Sequence, residues 1–529
     1  MNFDYVIIGA GTAGCVLANR LSATGKNTVL LLEAGPHARS IWTRIPAGYF
    51  KTVFDPRLSW GYSTLKEAEL ADRQIIWPRG KLLGGTGAIN GMVYVRGQAA
   101  DYDNWGDAGN PGWHYDDVLP YFAQANGNAG YSDHWHSRNG PMTVSDYPDR
   151  HILCDTFIDA AKEAGLPHNP DFNGADQLGA GYYQITVKNG LRADTAAAFL
   201  GPARKRKNLT IRCDAMVTRL LVAGGRATGV ALRQGDEDLL ITANREIILS
   251  AGAINSPKIL QHSGIGDPTH LGALGIPLTT ALPAVGQNLQ DHLQAQLVYH
   301  CKAPVSLNDA LNSIWGKARI AARYLFHRRG PMAGGPAPAG AFCKSDDQLP
   351  HPDLQFHFLP LSMAGPGVVD TMPGFSFNVS QSRPHSRGNV LIRSADPWQA
   401  PEIRANYLTK EIDQQVLVAG LKLGRHIAGQ AAFDPFRGME QRPGPDVASD
   451  DEFLDYARSN ATSIYHPVGT CRMGRGADAV VDASLRVHGL SGLRVADASI
   501  MPTIPSGNTN AAVVMIAEKA AEMIQSGGG

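Results

Sequence analysis

The stretch that decides the fold is YVIIGAGTAGCVLANRLSATGKNTVLLLE, residues 5–33. It begins with an apolar strand at 5–8, passes through a glycine-rich turn at 9–14 into a helical pattern, and ends in a second apolar strand at 28–32. Uninterrupted apolar strands are typical of a parallel sheet that is buried on both faces. The spacing predicts a βαβ unit that opens an α/β domain, with Glu33 at the carboxyl end of the second strand.

The turn carries the glycine spacing GxGxxG. The first glycine permits a tight turn, the second lets a diphosphate approach the backbone, and the third lets the helix pack against the strand. An acid at the end of the second strand accepts hydrogen bonds from a ribose diol and repels a 2′-phosphate. These features predict a dinucleotide site and leave NAD and FAD open as its ligand. The predicted contacts in this unit are Gly9, Gly11, Thr12, Ala13, Gly14, Glu33 and Ala34.

Composition and charge narrow the class of protein. The chain has 529 residues, of which 43% are apolar and 18% are charged, so it can bury a sizeable core. These values exclude a disordered or coiled-coil protein. Lys plus Arg total 48 and Asp plus Glu total 48, so the formal net charge is zero. No global basic field is available to bind nucleic acid.

Targeting segments and metal sites are not indicated by the sequence. The N-terminus lacks the pattern of a signal peptide, and no apolar stretch reaches the roughly 18 residues of a transmembrane segment. The six cysteines form no CxxC pair, and His134 and His136 lie in a polar stretch without a thiolate nearby. We therefore expect a cytoplasmic protein with reduced thiols and no metal ion.

Two further glycine-rich segments carry a family resemblance. The sequence RGKLLGGTGAINGMVYVRG at 79–97 and the sequence SAGAINSPKILQHSGIG at 250–266 resemble the two signatures of the glucose–methanol–choline (GMC) family of FAD-dependent oxidoreductases. DFNG at 171–174 and VGQNLQDH at 285–292 resemble the same family. The resemblance covers nearly the whole chain and implies FAD as the cofactor.

The resemblance also implies an α/β fold with two domains. One is a Rossmann-like FAD-binding domain made of discontinuous segments, and the other is an α+β substrate domain whose antiparallel sheet covers the flavin. We expect the FAD-binding domain at 1–154, 206–296 and 456–529, and the substrate domain at 155–205 and 297–455.

The first signature lies along the isoalloxazine ring in this family. Its glycines let a large planar cofactor approach the backbone. Some relatives attach FAD covalently through a histidine at the position of Ile89, and isoleucine cannot form that bond, so the resemblance implies non-covalent FAD. The contacts implied here are Leu83, Gly84, Gly87, Asn90, Gly91, Met92 and Val93.

Further FAD contacts are implied elsewhere in the chain. Val217 matches the residue whose backbone meets the adenine, although its local sequence is that of a plain strand residue. Asp497 ends a short strand and matches the late aspartate motif of flavoproteins, whose turn binds ribityl and phosphate oxygens. By its local sequence Asp497 could otherwise be a helix N-cap. The remaining implied contacts are Ala251, Tyr465, Ala498, Asn510 and Ala511.

Two C-terminal segments carry the candidate catalytic groups: SIYHPVGTCRMG at 463–474 and PSGNTNAA at 505–512. When an alcohol gives a hydride to a flavin, its hydroxyl must also lose a proton, so a positioned base lowers the barrier. Imidazole titrates near neutrality and suits that role, and a carboxamide can donate a hydrogen bond to the same oxygen. The resemblance identifies His466 as the base and Asn510 as its partner, while Asn508 is expected to support the loop or contact FAD.

The expected substrate is a small-molecule alcohol, and one position bears on its charge. Choline-oxidising relatives carry a glutamate in the segment that matches residues 337–342, where it pairs with trimethylammonium. Our alignment puts Pro338 at that position, and the neighbouring residues 330–336 contain no acid. A wall rich in proline and glycine suits an uncharged primary alcohol, aliphatic or aromatic, better than choline.

Other functions stay open on the sequence. They are a choline dehydrogenase-like enzyme, a lyase that keeps FAD structurally, as plant hydroxynitrile lyases resembling this family do, and an NAD-dependent dehydrogenase. The sequence also leaves open whether oxygen or a quinone accepts the electrons.

Overall fold

The βαβ unit forms where the sequence predicts it. In the computed structural model, which describes residues 1–365 and 367–527, strand Asn2–Ile8 leads into helix Thr12–Leu21 and then into strand Val29–Leu32. All residues of Val29–Leu32 are buried, as a strand inside a parallel sheet requires.

The first sheet has seven strands and mixed topology. Strand Asn2–Ile8 pairs in parallel with Val29–Leu32 on one side and with Glu237–Leu249 on the other. The carboxyl ends of the parallel strands meet at one edge, which is where open α/β sheets bind nucleotides. In order across the sheet the strands are Leu209–Arg212, Val29–Leu32, Asn2–Ile8, Glu237–Leu249, Arg226–Gln234 and Ala215–Ala223, and Leu493–Val495 also pairs with Glu237–Leu249.

The second sheet also has seven strands, and all of its pairings are antiparallel. Both of its faces are covered, and every residue of the strands Leu354–Leu359 and Gly374–Gln381 is buried. In order the strands are Arg437–Arg442, Leu293–Cys301, Gly374–Gln381, Leu354–Leu359, Ala339–Cys343 and Gly179–Tyr182, and Thr462–Ser463 also pairs with Leu293–Cys301.

Side-chain alternation gives the second sheet two different faces. Phe358, Phe375 and Phe377 lie on one face and form an apolar core with the helices Ile152–Glu163 and Glu411–Ala428. The residues that alternate with these phenylalanines are mostly polar and lie on the opposite face. That polar face forms one wall of the site described below.

The predicted fold class is confirmed, with a Rossmann-like domain and a second domain built on an antiparallel sheet. Two elements of the second sheet lie across the domain limits that we expect. Strand Leu293–Cys301 crosses the limit at 296, and Thr462–Ser463 lies in the segment 456–529. The reason is that these two strands pair with each other, so the chain joins the second sheet before the first limit and leaves it after the second.

The remaining elements connect the two sheets and cover them. The α-helices not yet named are Tyr49–Thr52, Ala99–Asp107, Tyr115–Ala125, Gly201–Ala203, Gly252–His262, Pro268–Ala273, Leu307–Asn312, Ile314–His327, Asp450–Asn460 and Asn510–Ser526. Short two-stranded pairs are Tyr62–Ser63 with Ile76–Trp77, Val93–Tyr94 with Gln184–Ile185, Asn126–Asn128 with Met142–Val144, Val187–Lys188 with Leu191–Arg192, Ile265–Gly266 with Thr280–Ala281, Met363–Gly365 with Val368–Val369, and Asn389–Leu391 with Glu402–Arg404.

None of the helices within the described ranges is long and apolar enough to cross a membrane. All six cysteines are buried free thiols. Among the described residues, no group of three or more His, Cys, Asp or Glu side chains is placed to hold a metal ion. His136 instead pairs with Asp133, with 3.0 Å between Nδ1 and Oδ1.

Candidate active site

A cavity of about 740 Å³ lies between the two sheets and is lined by residues of both domains. One end is bounded by the loops that follow the parallel strands, including Gly9, Glu33 and Ala251. The other end is bounded by His466 and by the polar face of the second sheet, including His357. The cavity therefore joins the predicted nucleotide site to the predicted catalytic histidine.

The three glycines of the first turn are needed for different reasons. A Cβ on Gly14 would lie 1.9 Å from the carbonyl oxygen of Gly9. A Cβ on Gly9, where φ is +97°, would lie 2.6 Å from the carbonyl oxygen of Ser250. The protein's own packing thus requires both glycines. A Cβ on Gly11 would meet nothing closer than Gly85 Cα at 4.0 Å, so the space beside Gly11 opens into the cavity and fits an approaching diphosphate.

Glu33 lies at the same end of the cavity and is buried. Its carboxylate accepts hydrogen bonds from the backbone N–H groups of Ala10 at 3.0 Å and Gly35 at 2.9 Å. Burial raises the pKa of Glu33 to about 7, and these two N–H groups oppose the shift. A further donor from the cavity side would stabilise the charged carboxylate, and a ribose hydroxyl is such a donor.

Most of the predicted FAD contacts line this cavity. They are Gly9, Gly11, Thr12, Ala13, Glu33, Ala34, Asn90, Gly91, Met92, Val93, Val217, Ala251, Tyr465, Asp497, Ala498 and Asn510.

Five predicted contacts lie behind the cavity wall. Leu83 and Ala511 are buried in the apolar core of the first domain. Gly84 turns the chain with φ of +99°, and the carbonyl of Gly87 accepts a hydrogen bond from a buried arginine. Gly14 serves the packing of helix on strand described above. These five residues are not among those that line the cavity, and their contact with FAD stays a prediction.

Asp497 combines the two interpretations that its sequence allows. Its Oδ1 accepts a hydrogen bond from the N–H of Ser499 at 2.8 Å, so it is the N-cap of a short 3₁₀ helix. Its Oδ2 accepts hydrogen bonds from Gly252 N at 2.8 Å and Ser256 Oγ at 2.6 Å. Asp497 thereby fixes the start of the helix Gly252–His262 while lining the cavity.

The loop that carries His466 is held by Asp291, which the sequence does not identify as a site residue. Asp291 accepts hydrogen bonds from His466 N at 2.6 Å, from Ser463 Oγ at 2.5 Å and from the hydroxyl of Tyr407. Burial raises the pKa of Asp291 to about 6, although these hydrogen bonds lower it. Tyr465, between Ser463 and His466, has φ of +68°, a strained value that such anchoring maintains.

The imidazole of His466 is oriented by a second histidine, His292, which the sequence also misses. The two Nδ1 atoms lie 3.1 Å apart, and His292 Nε2 lies 3.1 Å from the carbonyl oxygen of Ser382. A carbonyl only accepts, so His292 Nε2 carries the hydrogen and His292 Nδ1 accepts from His466. The hydrogen-bond network thus assigns the hydrogen of His466 to Nδ1 and leaves a lone pair on Nε2.

The same environment keeps His466 neutral. Burial lowers the pKa of His466 well below its usual value of 6.5, and the nearby His292, His357 and Arg79 lower it further. An imidazole that is neutral at neutral pH is able to accept a proton.

Asn508, and not Asn510, is the carboxamide beside His466. Asn508 Nδ2 lies 3.3 Å from His466 Nε2, and Asn508 Oδ1 accepts a hydrogen bond from Gln355 Nε2 at 3.2 Å. Asn510 Oδ1 instead accepts a hydrogen bond from the hydroxyl of Thr12 at 2.9 Å. The predicted placement of Asn510 next to the base is therefore wrong. Asn510 begins the helix Asn510–Ser526, which packs against the helix that starts at Thr12.

Polar side chains of the second sheet lie in the cavity opposite the first domain. Gln296, Asn378 and His357 occupy directly paired positions on three neighbouring strands, and all three line the cavity. His357 Nδ1 and Asn378 Oδ1 are buried without a hydrogen-bond partner among the described residues. Such atoms are available to a ligand that can hydrogen-bond.

The cavity contains little negative charge. Among its described lining residues, Glu33 and Asp497 are the only acids, and both are bound to backbone N–H groups at the nucleotide end. Arg442 lines the same cavity from the edge of the second sheet. Of the expected substrate wall at 330–342, Pro336 and Ala337 line the cavity, whereas Pro338 does not.

Two family models match the chain. The N-terminal model of GMC oxidoreductases matches residues 3–294, and the C-terminal model matches residues 384–517.

Several similar proteins have names that state an enzymatic activity. The chain is 42% identical to an oxygen-dependent choline dehydrogenase of Photobacterium profundum, over 99% of the chain and 93% of the relative. It is 44% identical to a protein of the same name from Escherichia coli, over 99% of the chain and 96% of the relative. Among solved structures, the pyridoxine 4-oxidase of Mesorbium loti is similar with a TM-score of 0.89 and 31% identity, over 98% of both chains.

Proposed function

The chain belongs to the glucose–methanol–choline oxidoreductase family, and from that premise we propose that it oxidises an uncharged primary alcohol to the aldehyde. FAD-dependent oxidation of a CH–OH donor is the activity of this family, and it is the activity of this chain. The observation that carries the finer proposal is that, among the described residues lining the cavity, Glu33 and Asp497 at the nucleotide end are the only acids.

His466 and Asn508 would share the work on the alcohol oxygen. FAD, when bound, supplies the hydride acceptor for the carbon. His466 Nε2 would take the hydroxyl proton, while its Nδ1–H stays bonded to His292 and spreads the positive charge that forms. Asn508 Nδ2 would donate a hydrogen bond to the oxygen as negative charge grows on it. The alcohol thus loses one hydride and one proton, which gives the aldehyde.

The residues that would hold FAD are those that line the nucleotide end. The open space beside Gly11 would admit the diphosphate, Glu33 would accept from the ribose, and Val217 would meet the adenine. We propose that FAD is bound without a covalent link. Ile89 lines the cavity, and the only described histidines there are His357 and His466. Acid precipitation should therefore release all of the yellow cofactor into the supernatant, and flavin retained in the pellet would contradict this.

The substrate end of the cavity favours a neutral alcohol. A trimethylammonium group would meet Arg442 and no unpaired carboxylate among the described lining residues. The unpartnered His357 Nδ1 and Asn378 Oδ1 would instead bind an alcohol that carries a second hydrogen-bonding group. Because leaving such buried atoms unpaired is costly, a substrate that pairs them gains specificity as well as affinity.

Choline is the second candidate, and the relatives favour it. Proteins named oxygen-dependent choline dehydrogenase share 42–44% of their residues with nearly the whole chain. Aromatic side chains, including Trp60 and Tyr465, line the cavity and could lie against a quaternary ammonium. Trp60 already has the ammonium of Lys81 at 4.7 Å from its ring, which opposes a second cation there.

An anaerobic reduction screen tests the proposal. The yellow holoenzyme is mixed without oxygen with aliphatic, aromatic, polyhydroxy and quaternary-ammonium alcohols, and the flavin absorbance is followed. We expect neutral alcohols to bleach the flavin at lower concentration than choline. Fastest bleaching by choline would favour the second candidate, and bleaching by no alcohol would contradict both candidates. Re-oxidation of the reduced protein by air or by a soluble quinone then identifies the acceptor.

A further inference from the structure

The helix Ile314–His327, called here the surface helix, presents its apolar side chains to solvent. Tyr324 is its only buried residue. Four large apolar side chains are strongly exposed: Ile314 at 83%, Trp315 at 85%, Leu325 at 66% and Phe326 at 81%. At 100° per residue these four side chains fall within one 120° sector, with Ala318 and Ala322 between them. The helix is therefore amphipathic with its apolar side turned outward.

Positive charge borders this apolar sector. Lys317, Arg319, Arg323, Arg328 and Arg329 are all exposed, and residues 310–329 contain no acid. Asp149 of another segment pairs with this cluster. Its Oδ1 lies 2.9 Å from Nη2 of Arg323 and 3.7 Å from Nε of Arg329. The whole chain, this cluster included, has a formal net charge of zero, so the excess of positive charge here is local. An apolar sector bordered by Lys and Arg is the pattern of a helix that lies in a lipid interface.

The surface helix and the residues just before it are bonded to neighbouring segments, one of which leads to the wall of the cavity. The hydroxyl of Tyr324 donates a hydrogen bond to the carbonyl of Gly190 at 2.9 Å, and its ring packs against Ile45. Just before the helix, Asn312 donates to the carbonyl of Asp370 at 2.7 Å, beside the strand Val368–Val369. That strand pairs with Met363–Gly365, which contributes Met363 and Gly365 to the cavity lining. Val368 and Met372 are exposed on the same segment.

We propose that the surface helix docks this protein on an anionic lipid bilayer. A second copy of the chain fits the surface less well, because a twofold contact would bring the same five cations of each copy together. An anionic bilayer matches both features, since its headgroups neutralise the cations while its acyl region takes up the four apolar side chains. The docked face lies near the paired strands Met363–Gly365 and Val368–Val369, so it would place the cavity near the lipid.

Vesicle flotation of the FAD-loaded protein tests the proposal. We expect binding to vesicles that contain phosphatidylglycerol, at least tenfold weaker binding to pure phosphatidylcholine, and release by high salt. The double variant Trp315→Ser/Phe326→Ser should lose at least tenfold in binding to the anionic vesicles. The double variant Lys317→Gln/Arg319→Gln should lose binding to anionic vesicles only, by about fivefold for each cation. Trp398→Ser, an exposed tryptophan elsewhere in the chain, is the matched control and should bind as the wild type does.

Three results would overturn the proposal. One is an unaltered wild-type protein that does not float with anionic vesicles, and another is equal binding by the Trp315→Ser/Phe326→Ser variant. The third is a change of oligomeric state, measured by light scattering without lipid, that these variants cause, because the surface would then be a contact between copies. Unchanged FAD content and unchanged flavin reduction by a soluble alcohol show that each variant is folded.

Discussion

The two ends of the cavity are built in different ways. At the nucleotide end the wall is mostly backbone, and Gly9, Gly11 and Glu33 come from one continuous stretch of chain. At the reactive end the wall is mostly side chains, and His466 and Asn508 are brought together with His292 and Gln355 of two other segments.

This difference predicts two kinds of damage. A change at the nucleotide end acts through steric fit, so it should cost cofactor binding or folding stability. A change at the reactive end removes a chemical group from a wall that is already packed, so it should cost reaction rate while FAD stays bound. Substitutions at the two ends should therefore separate these two kinds of damage.

Replacement of the base should have the largest effect. His466→Ala should slow anaerobic flavin reduction by about 10²–10⁴, the usual contribution of a general base, while the protein stays yellow. Stopped-flow absorbance gives the rate, and the visible spectrum gives the FAD content. His270→Ala, outside the cavity, is the matched control and should reduce at the wild-type rate. A wild-type rate in His466→Ala would remove His466 from the base role.

Substitutions of Asn508 and Asn510 should have clearly different effects on the rate of flavin reduction. Asn508→Ala should slow flavin reduction by roughly 10²–10³, because it removes a donor to the developing oxyanion. Asn510→Ala should change the rate by no more than about fivefold, the effect of one neutral hydrogen bond, since its side chain bonds Thr12. The same stopped-flow measurement decides. A larger loss of rate in Asn510→Ala would restore the sequence-based assignment.

Substitution of Gly14 should lower folding stability, whereas substitution of Gly11 should weaken FAD binding. Gly14→Ala places a Cβ against the carbonyl of Gly9 and should lower the free energy of unfolding by about 1–3 kcal/mol, as overpacking does. Gly11→Ala has room within the protein and should leave the melting temperature of the FAD-free protein unchanged while weakening FAD binding. Thermal melts with and without FAD measure both. Equal melting of the FAD-free Gly14→Ala and Gly11→Ala proteins would contradict the distinction.

The same contrast explains how much the sequence could predict. The βαβ unit and its glycines are predictable because strand, turn and helix depend on neighbouring residues. The partners of His466 are not, because Asp291 and His292 reach it only through the pairing of Leu293–Cys301 with Thr462–Ser463.

The sequence assigned Asn510, and not Asn508, as the partner of His466 for a similar reason. Asn508 and Asn510 are the same residue type two positions apart, and their local sequence does not distinguish their roles. Only the packing of the helix Asn510–Ser526 against Thr12 turns Asn510 away from His466. The resemblance identified the right segment, and the tertiary structure decides which carboxamide lies beside the base.

The central claim is that a neutral, buried His466 accepts the proton of the alcohol, and the pH dependence of anaerobic flavin reduction tests it most directly. A base works only when it is unprotonated, and its pKa lies well below 6.5 here, so its activity is lost only as the pH falls through that lowered value. With a neutral alcohol as substrate, we expect a rate constant that is level above pH 6.5 and falls only at more acidic pH. A rate that still rises with pH through a midpoint above 6.5, and does so equally in His466→Ala, would contradict the account.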